Sequence, residues 1–220
     1  MLTHTQRTTS LADSSATYQN RFGRTDPLDL FIVGVDDGAF SPRKERGERT
    51  LLVAVLCKRS RIEGVRIGTI EVDGTDAGYV LRRMLRNVRF DVVMLSGITF
   101  GGFNLIDIAK LAYELRKPII AISGERPNNQ AVRKALREHF DDWKKRWGIV
   151  RSAGGLYSCK PSRTEPSLHF EVKGTTPIIA RRIIVGTAVI SRLPEPIRVA
   201  RRLAKGLSPL YHQRNLQVEL

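Results

Sequence analysis

The sequence predicts an α/β fold: a mixed five-stranded sheet, three antiparallel strands followed by two parallel additions, flanked by helices. Three observations lead there. Residues 30–72 hold three apolar or alternating segments with short connections, the chain from Thr75 onward alternates between helical and strand periods, and no repeat or linker interrupts it after residue 28.

In "LFIVGVDDGAFSP" residues 30–36 form the first strand; "LLVAVLCK" (51–58) is the second and "RIEGVRIGTIEV" (61–72) the third, with the Arg- and Glu-rich segment 43–49 as a solvated turn. Short sequential connections make these an antiparallel meander. In "TDAGYVLRRMLRN" the spacing becomes helical, with Val80, Leu81, Met84 and Leu85 inward and Thr75 as the expected N-cap. "DVVMLSG" is then a short buried strand, "GFNLIDIAKLAYELR" a helix, "KPIIAISG" a strand and "NNQAVRKALREHFDDWKKRW" one long charged helix. Such alternation implies parallel strands covered by helices. The last third holds the turn "SAGG", a strand "LHFEVKG", a helix opened by "TTP" and the segment "RLPEPIRVARRLAKG". Residues 1–27 are too polar to build a core and are expected to be a flexible tail, 28–210 a single domain and 211–220 a C-terminal tail.

The 220 residues are 41% hydrophobic, enough for one ordinary core, and no apolar run is long enough to span a membrane. The start of the chain lacks the apolar stretch of a secretion signal, and only Cys57 and Cys159 are present. A reduced, cytoplasmic protein without a disulfide scaffold or cysteine-rich zinc site is expected. Thirty-seven Lys and Arg against twenty-two Asp and Glu give a net charge of +15, which favours a polyanionic partner, DNA or RNA, over a merely basic surface.

This strand order brings the end of the first strand beside the ends of the fourth and fifth. Asp36 and Asp37 at the first strand end, Asp73 and Asp76 in "EVDGTDAG" and Asp107 in "FNLIDIAK" can therefore converge at one sheet edge. Clustered carboxylates repel one another, and a hard divalent cation such as Mg²⁺ or Mn²⁺ is the usual reason for their company. Each also has a local alternative: Asp36 or Asp37 capping the "DG" turn, Asp73 serving the turn before Gly74, Asp76 complementing a helix dipole and Asp107 facing solvent. In "PEPIRVARRLAKG" Arg198, Arg201, Arg202 and Lys205 recur at helical spacing opposite Ile197, Ala200, Leu203 and Ala204, a stripe suited to a duplex backbone or to plain solvation. Thr176 at a helix start followed by Pro177 leaves amides free for a phosphate. The Gly-rich "SGITFGGFN", with Phe100, Phe103 and Asn104, offers a loop able to admit a nucleotide, although phenylalanines here also suit a core. His4, His139, His169 and His212 have no metal-ligand spacing.

"GVDDGAF", "DVVMLSGITFGGFNLIDIAKLAYELRKPIIAIS" and above all "SRLPEPIRVARRLAKG" resemble endonuclease V and its relatives, over about residues 28–207. "VDGTDA" and "SGITFGGFNLIDI" resemble more closely a mainly archaeal family associated with an endonuclease acting on deoxyuridine-containing DNA. The resemblance implies a ribonuclease H-like fold and Mg²⁺- or Mn²⁺-dependent cleavage of DNA in repair. It implies metal binding by Asp36 and by Asp76, which matches that family's glutamate, with catalytic help from Asp107 or a ligand from Asp73. Ser96-Gly97 stands where endonuclease V has "DG", so a serine replaces the third carboxylate, and Ser123, Gly124 and Glu125 stand where its lysine is expected. A metal-dependent endonuclease is thus weighed against a nucleic-acid-binding protein that has lost its chemistry, which Ser96 favours. An actin-like phosphotransferase, suggested by strand-end aspartates, would need a duplicated domain that this chain lacks.

Overall fold

The computed structural model describes residues 25–40, 47–59 and 61–218, without the side chains of 214–218. The expected tail lies outside the described residues as far as 24; Pro27–Asp29 form a 3-10 turn, with Pro27 beside Gly186. Most of the turn at 43–49 is also outside them.

The strands are β1 (Ile32–Asp37), β2 (Arg49–Lys58), β3 (Arg61–Glu71), β4 (Val92–Leu95), β5 (Thr99–Phe100), β6 (Asn104–Leu105), β7 (Ile119–Ser123), β8 (Tyr157–Cys159) and β9 (Leu168–Lys173). Among the described residues seven make one sheet in the order β3-β2-β1-β4-β7-β9-β8, and β5 with β6 forms a separate two-stranded ribbon. The expected meander β1-β2-β3 is antiparallel, and β4 and β7 are the two parallel additions. The five-stranded expectation is corrected by β9, which pairs antiparallel with β7, and by β8, antiparallel with β9. β8 is three residues long with mostly exposed side chains, so it carries little hydrophobic periodicity.

The helices are α1 (Ala77–Met84), α2 (Ile108–Leu115), α3 (Asn129–His139), α4 (Trp143–Ser152), α5 (Pro177–Thr187) and α6 (Glu195–Val218). β1, β2, β4 and β7 are near-continuous apolar runs because helices bury both faces. Val33, Val35, Leu95 and Ala121 pack beneath α1 and α2 on one face. Ile32, Met94 and Ile122 meet α5 on the other, where Leu51, Val53 and Val55 meet α6. β3 covers the sheet's margin and is largely exposed.

Two expected helices are shorter. The one at 102–116 begins only at Ile108, because Asn104 and Leu105 pair in the ribbon and Asp107 caps the first turn. The long helix at 128–147 breaks at Phe140, whose extended backbone turns its ring onto Phe103 and the Arg146 guanidinium. α6 instead outruns expectation: it continues to Val218, so residues 211–218 are helical, with Pro209 inside. None of the described helices is long and apolar enough to cross a membrane.

Candidate active site

α6 is laid directly on β1. A Cβ at Gly34 would collide with the backbone of Pro196 and Ile197, so only glycine lets the helix approach this closely. From Ile197 to Arg201 the helix advances about 6 Å, and from Gly34 to Asp36 the strand advances about 7 Å. The matched rise brings Arg201 to Asp36.

Asp36, 4% exposed, ends β1 on the α6 face. Its Oδ2 accepts from Arg201 Nε at 2.7 Å; its Oδ1 accepts from Ser96 Oγ at 2.6 Å and from the Asp37 amide at 3.0 Å. Ser96 follows β4, the strand beside β1, which is why its hydroxyl is within reach. Asp37 points the other way, and its Oδ2 accepts from the Gly101 amide at 2.6 Å. Burial pushes its carboxyl up to about 6; the nearby Asp36 adds to the rise and the Gly101 hydrogen bond opposes it. Ser208 and His212 of α6 hold the backbone of Ala39, so this helix also fixes the chain leaving β1.

The other carboxylates have separate partners. Asp76 stands at the N-cap position of α1 expected for Thr75, without capping by its side chain. It pairs with Arg49 at 3.0 Å and accepts from Asn104 Nδ2 at 2.7 Å and the Glu71 amide at 3.1 Å. Asp73 has φ 57° and accepts from the Phe103 amide at 2.8 Å. Asp107 caps α2 through the amides of Ala109 and Lys110, both at 3.0 Å.

As placed here, these carboxylates do not come together around one divalent cation. Both Asp36 oxygens are taken by protein donors, one of them cationic, and Ser96 offers a hydroxyl where a carboxylate was wanted. Among the described residues no group of three or more His, Cys, Asp or Glu side chains could hold a metal ion. Asp36, Asp76 and Asp73, the expected metal ligands, thus each keep separate partners here, and Asp107, expected to help catalysis, caps α2.

The expected nucleic-acid contacts divide. Phe100 is fully buried in the core and cannot stack on a base. Phe103 meets Phe140 edge to face at 5.6 Å between ring centres. Asn104, also fully buried, bonds Asp76, the Glu71 carbonyl and the Ala77 amide, bracketing the start of α1. Thr176 is the N-cap of α5, accepting from the Ile179 amide. Arg198 is tied to Glu195 by three hydrogen bonds, whereas Arg202 and Lys205 are exposed. Sequence reasoning missed Arg146. Only 6% exposed, it donates to the carbonyls of Gly74 and Phe103 at 2.9 and 2.6 Å, clamping the two loops that carry Asp73 and Gly101. Its signal was Asp142 four residues earlier, an i,i+4 pair at 2.7 Å.

A family model described as "Endonuclease dU" matches residues 29–208, most of the chain. The chain belongs to the endonuclease dU family. A UPF0215 protein of Thermococcus gammatolerans is 37% identical over 184 residues, covering 81% of this chain and 92% of its own length. A crystal structure of a protein of unknown function from Archaeoglobus fulgidus is 25% identical, with a TM-score of 0.72, covering 81% of this chain and 98% of that one. Endonuclease V of Bacillus subtilis is 14% identical with a TM-score of 0.56 over 96% of this chain and 97% of its own, a likeness of fold. Membership in the endonuclease dU family and this ribonuclease H-like, endonuclease V-like fold place the chain among the nucleases.

Proposed function

We propose that this endonuclease dU family member hydrolyses phosphodiester bonds of DNA beside a deaminated base such as deoxyuridine, in a repair role, with the reacting phosphate brought to the end of β1. The observation that carries this reading is the buried Asp36 held by Ser96 under Arg201 of the basic helix α6. Arg201 uses its Nε on Asp36 and remains 42% exposed, so its other N–H groups can take phosphate oxygens. Asp36 fixes the direction of that guanidinium. Arg202 and Lys205, exposed on the same helix, supply contacts to neighbouring backbone phosphates. Mg²⁺ or Mn²⁺ enters through the family resemblance, since the carboxylates among the described residues do not come together around one ion.

A second reading, nucleic-acid binding without cleavage, is favoured by the same contacts: Asp36 is occupied by Ser96, Asp37 and Arg201, and Ser96 offers a hydroxyl where a third carboxylate was expected. One nicking assay separates the two. Duplexes carrying deoxyuridine, hypoxanthine or no lesion are incubated with Mg²⁺, Mn²⁺ or EDTA and either wild type or Asp36→Asn. Wild type is expected to nick a lesion-bearing strand and Asp36→Asn to bind it uncut. Binding without nicking by wild type in every condition replaces the first reading with the second.

A further inference from the structure

A cleft of about 500 Å³ opens between α1, α2 and α4 and takes no part in the site at Asp36. Most of its charges are already answered: Arg82 lies 3.7 Å from Glu114, Arg146 is bound to Asp142, and Asp107 caps α2. Lys110 and Lys145 are not: among the described residues neither side-chain ammonium group has a hydrogen-bond or ionic partner. With Arg82, Lys110, Lys145 and Arg146 against Asp107, Glu114 and Asp142, the lining has a formal excess of one positive charge, and its two unpaired ammonium groups are the points that would meet an anion. Tyr79, 54% exposed, stands at the same cleft.

Two glycines supply an independent observation. Gly78 in α1 and Gly148 in the middle of α4 line the cleft, and a Cβ at either would meet nothing within 4 Å. Gly34 is required by packing, because a Cβ there would strike α6. Gly148 has no such reason, yet glycine weakens a helix interior relative to alanine. What these two positions share is bare backbone facing the open cleft. Such backbone lets a ligand come closer than any side chain would allow.

We propose that this cleft binds a phosphate-bearing nucleoside unit: its phosphate is held by Lys110 and Lys145, its base lies against Tyr79, and its sugar passes over Gly78 and Gly148. The unit is either a free mononucleotide or one nucleotide of a strand. The strand case rests on the proposed function, and the free-nucleotide case does not. Lysine ammonium groups suit a phosphate as point charges, and an aromatic ring accepts any base face.

The test uses the full chain and two probes: deoxyuridine 5′-monophosphate by calorimetry, and a fluorescein-labelled single-stranded oligonucleotide by anisotropy. The Lys110→Met/Lys145→Met variant, at exposed helix positions, is expected to weaken at least one probe by about tenfold or more. Gly148→Ala is expected to raise the thermal midpoint while weakening the same probe, a combination that a glycine serving the fold would not give. Loss of the mononucleotide alone identifies a free-nucleotide site, and loss of the strand identifies a subsite for the polymer. Failure of wild type to bind either probe, or unchanged affinities in both variants, overturns the proposal. The nicking comparison of wild type with Asp36→Asn reads the proposed function separately, so either can fail while the other stands.

Discussion

Asp36 ends β1 and Asp107 precedes α2, and each accepts three hydrogen bonds. For Asp107 two come from amides within three residues and one from Ser152 at 3.2 Å. For Asp36 one comes from the next amide, and the others come from side chains 60 and 165 residues away. The amides on Asp107 cannot leave without unwinding a helix turn. The serine and arginine on Asp36 need only rotate. A carboxylate bound by backbone is structural, whereas one bound by exchangeable side chains can give its partners to a substrate.

Arg201→Met puts the largest strain on this contrast. It leaves a carboxylate with 6% side-chain exposure without its cation, although Arg201 is itself 42% exposed, so screening reduces the loss below that of a fully buried pair. About 2 kcal/mol of stability should go, measured by urea unfolding at pH 7. Binding to duplex DNA should weaken in the same variant and lose part of its salt dependence. In a double-mutant cycle with Asp36→Asn the two changes should couple by about 1 kcal/mol. Additive effects would show that the pair is no more than an incidental surface contact.

The same contrast explains what the sequence made legible. The meander, the parallel additions, the apolar face of α6 and the cap at Thr176 follow from patterns spanning a few residues, and the structure has them. Asp107 as a cap was equally local, because an aspartate just before the apolar helical run "IDIAKLAYEL" is an N-cap signal; the expectation of a shared metal obscured it. The pairing of Arg201 with Asp36 was not legible, since it depends on Gly34 admitting α6 and on a register across 165 residues. For Phe100 the sequence left a base-stacking loop and a core position open; the β5-β6 ribbon turns that ring into the core beneath α1 and α2. Arg146 stayed hidden among the charges of "DDWKKRW" because its acceptors are backbone carbonyls, which leave no mark in a sequence.

Asp107→Ala sharpens the comparison from the structural side. Loss of an N-cap costs about 1 kcal/mol, and the change should leave nucleic-acid affinity at the Asp36 site unaltered. Urea unfolding and a duplex titration of the same sample read both. A drop in affinity as large as that of Arg201→Met would erase the distinction between the two carboxylates.

Asp37 is intermediate between them: its side chain accepts from one backbone amide, that of Gly101, yet lies beside the Asp36 charge. Its carboxyl rises from the ordinary 3.8 to about 6, chiefly through burial. The folded protein therefore holds this proton more tightly than the unfolded chain does, so the group favours folding while protonated. Its contribution declines as pH rises from about 4 to about 6 and is constant above. Asp37→Asn cannot ionise, and its side-chain oxygen can still accept from Gly101. Relative to wild type, the variant should gain stability across that window and keep the gain at higher pH. Urea unfolding of both proteins at pH 4.5 and pH 7.5 measures it, with the difference expected to move toward the variant at the higher pH. An identical difference at both pH values would mean that Asp37 ionises as easily folded as unfolded. Asp37 would then rest as comfortably on its amide as Asp107 does, leaving Asp36, of these three, as the carboxylate whose surroundings are not set by the backbone.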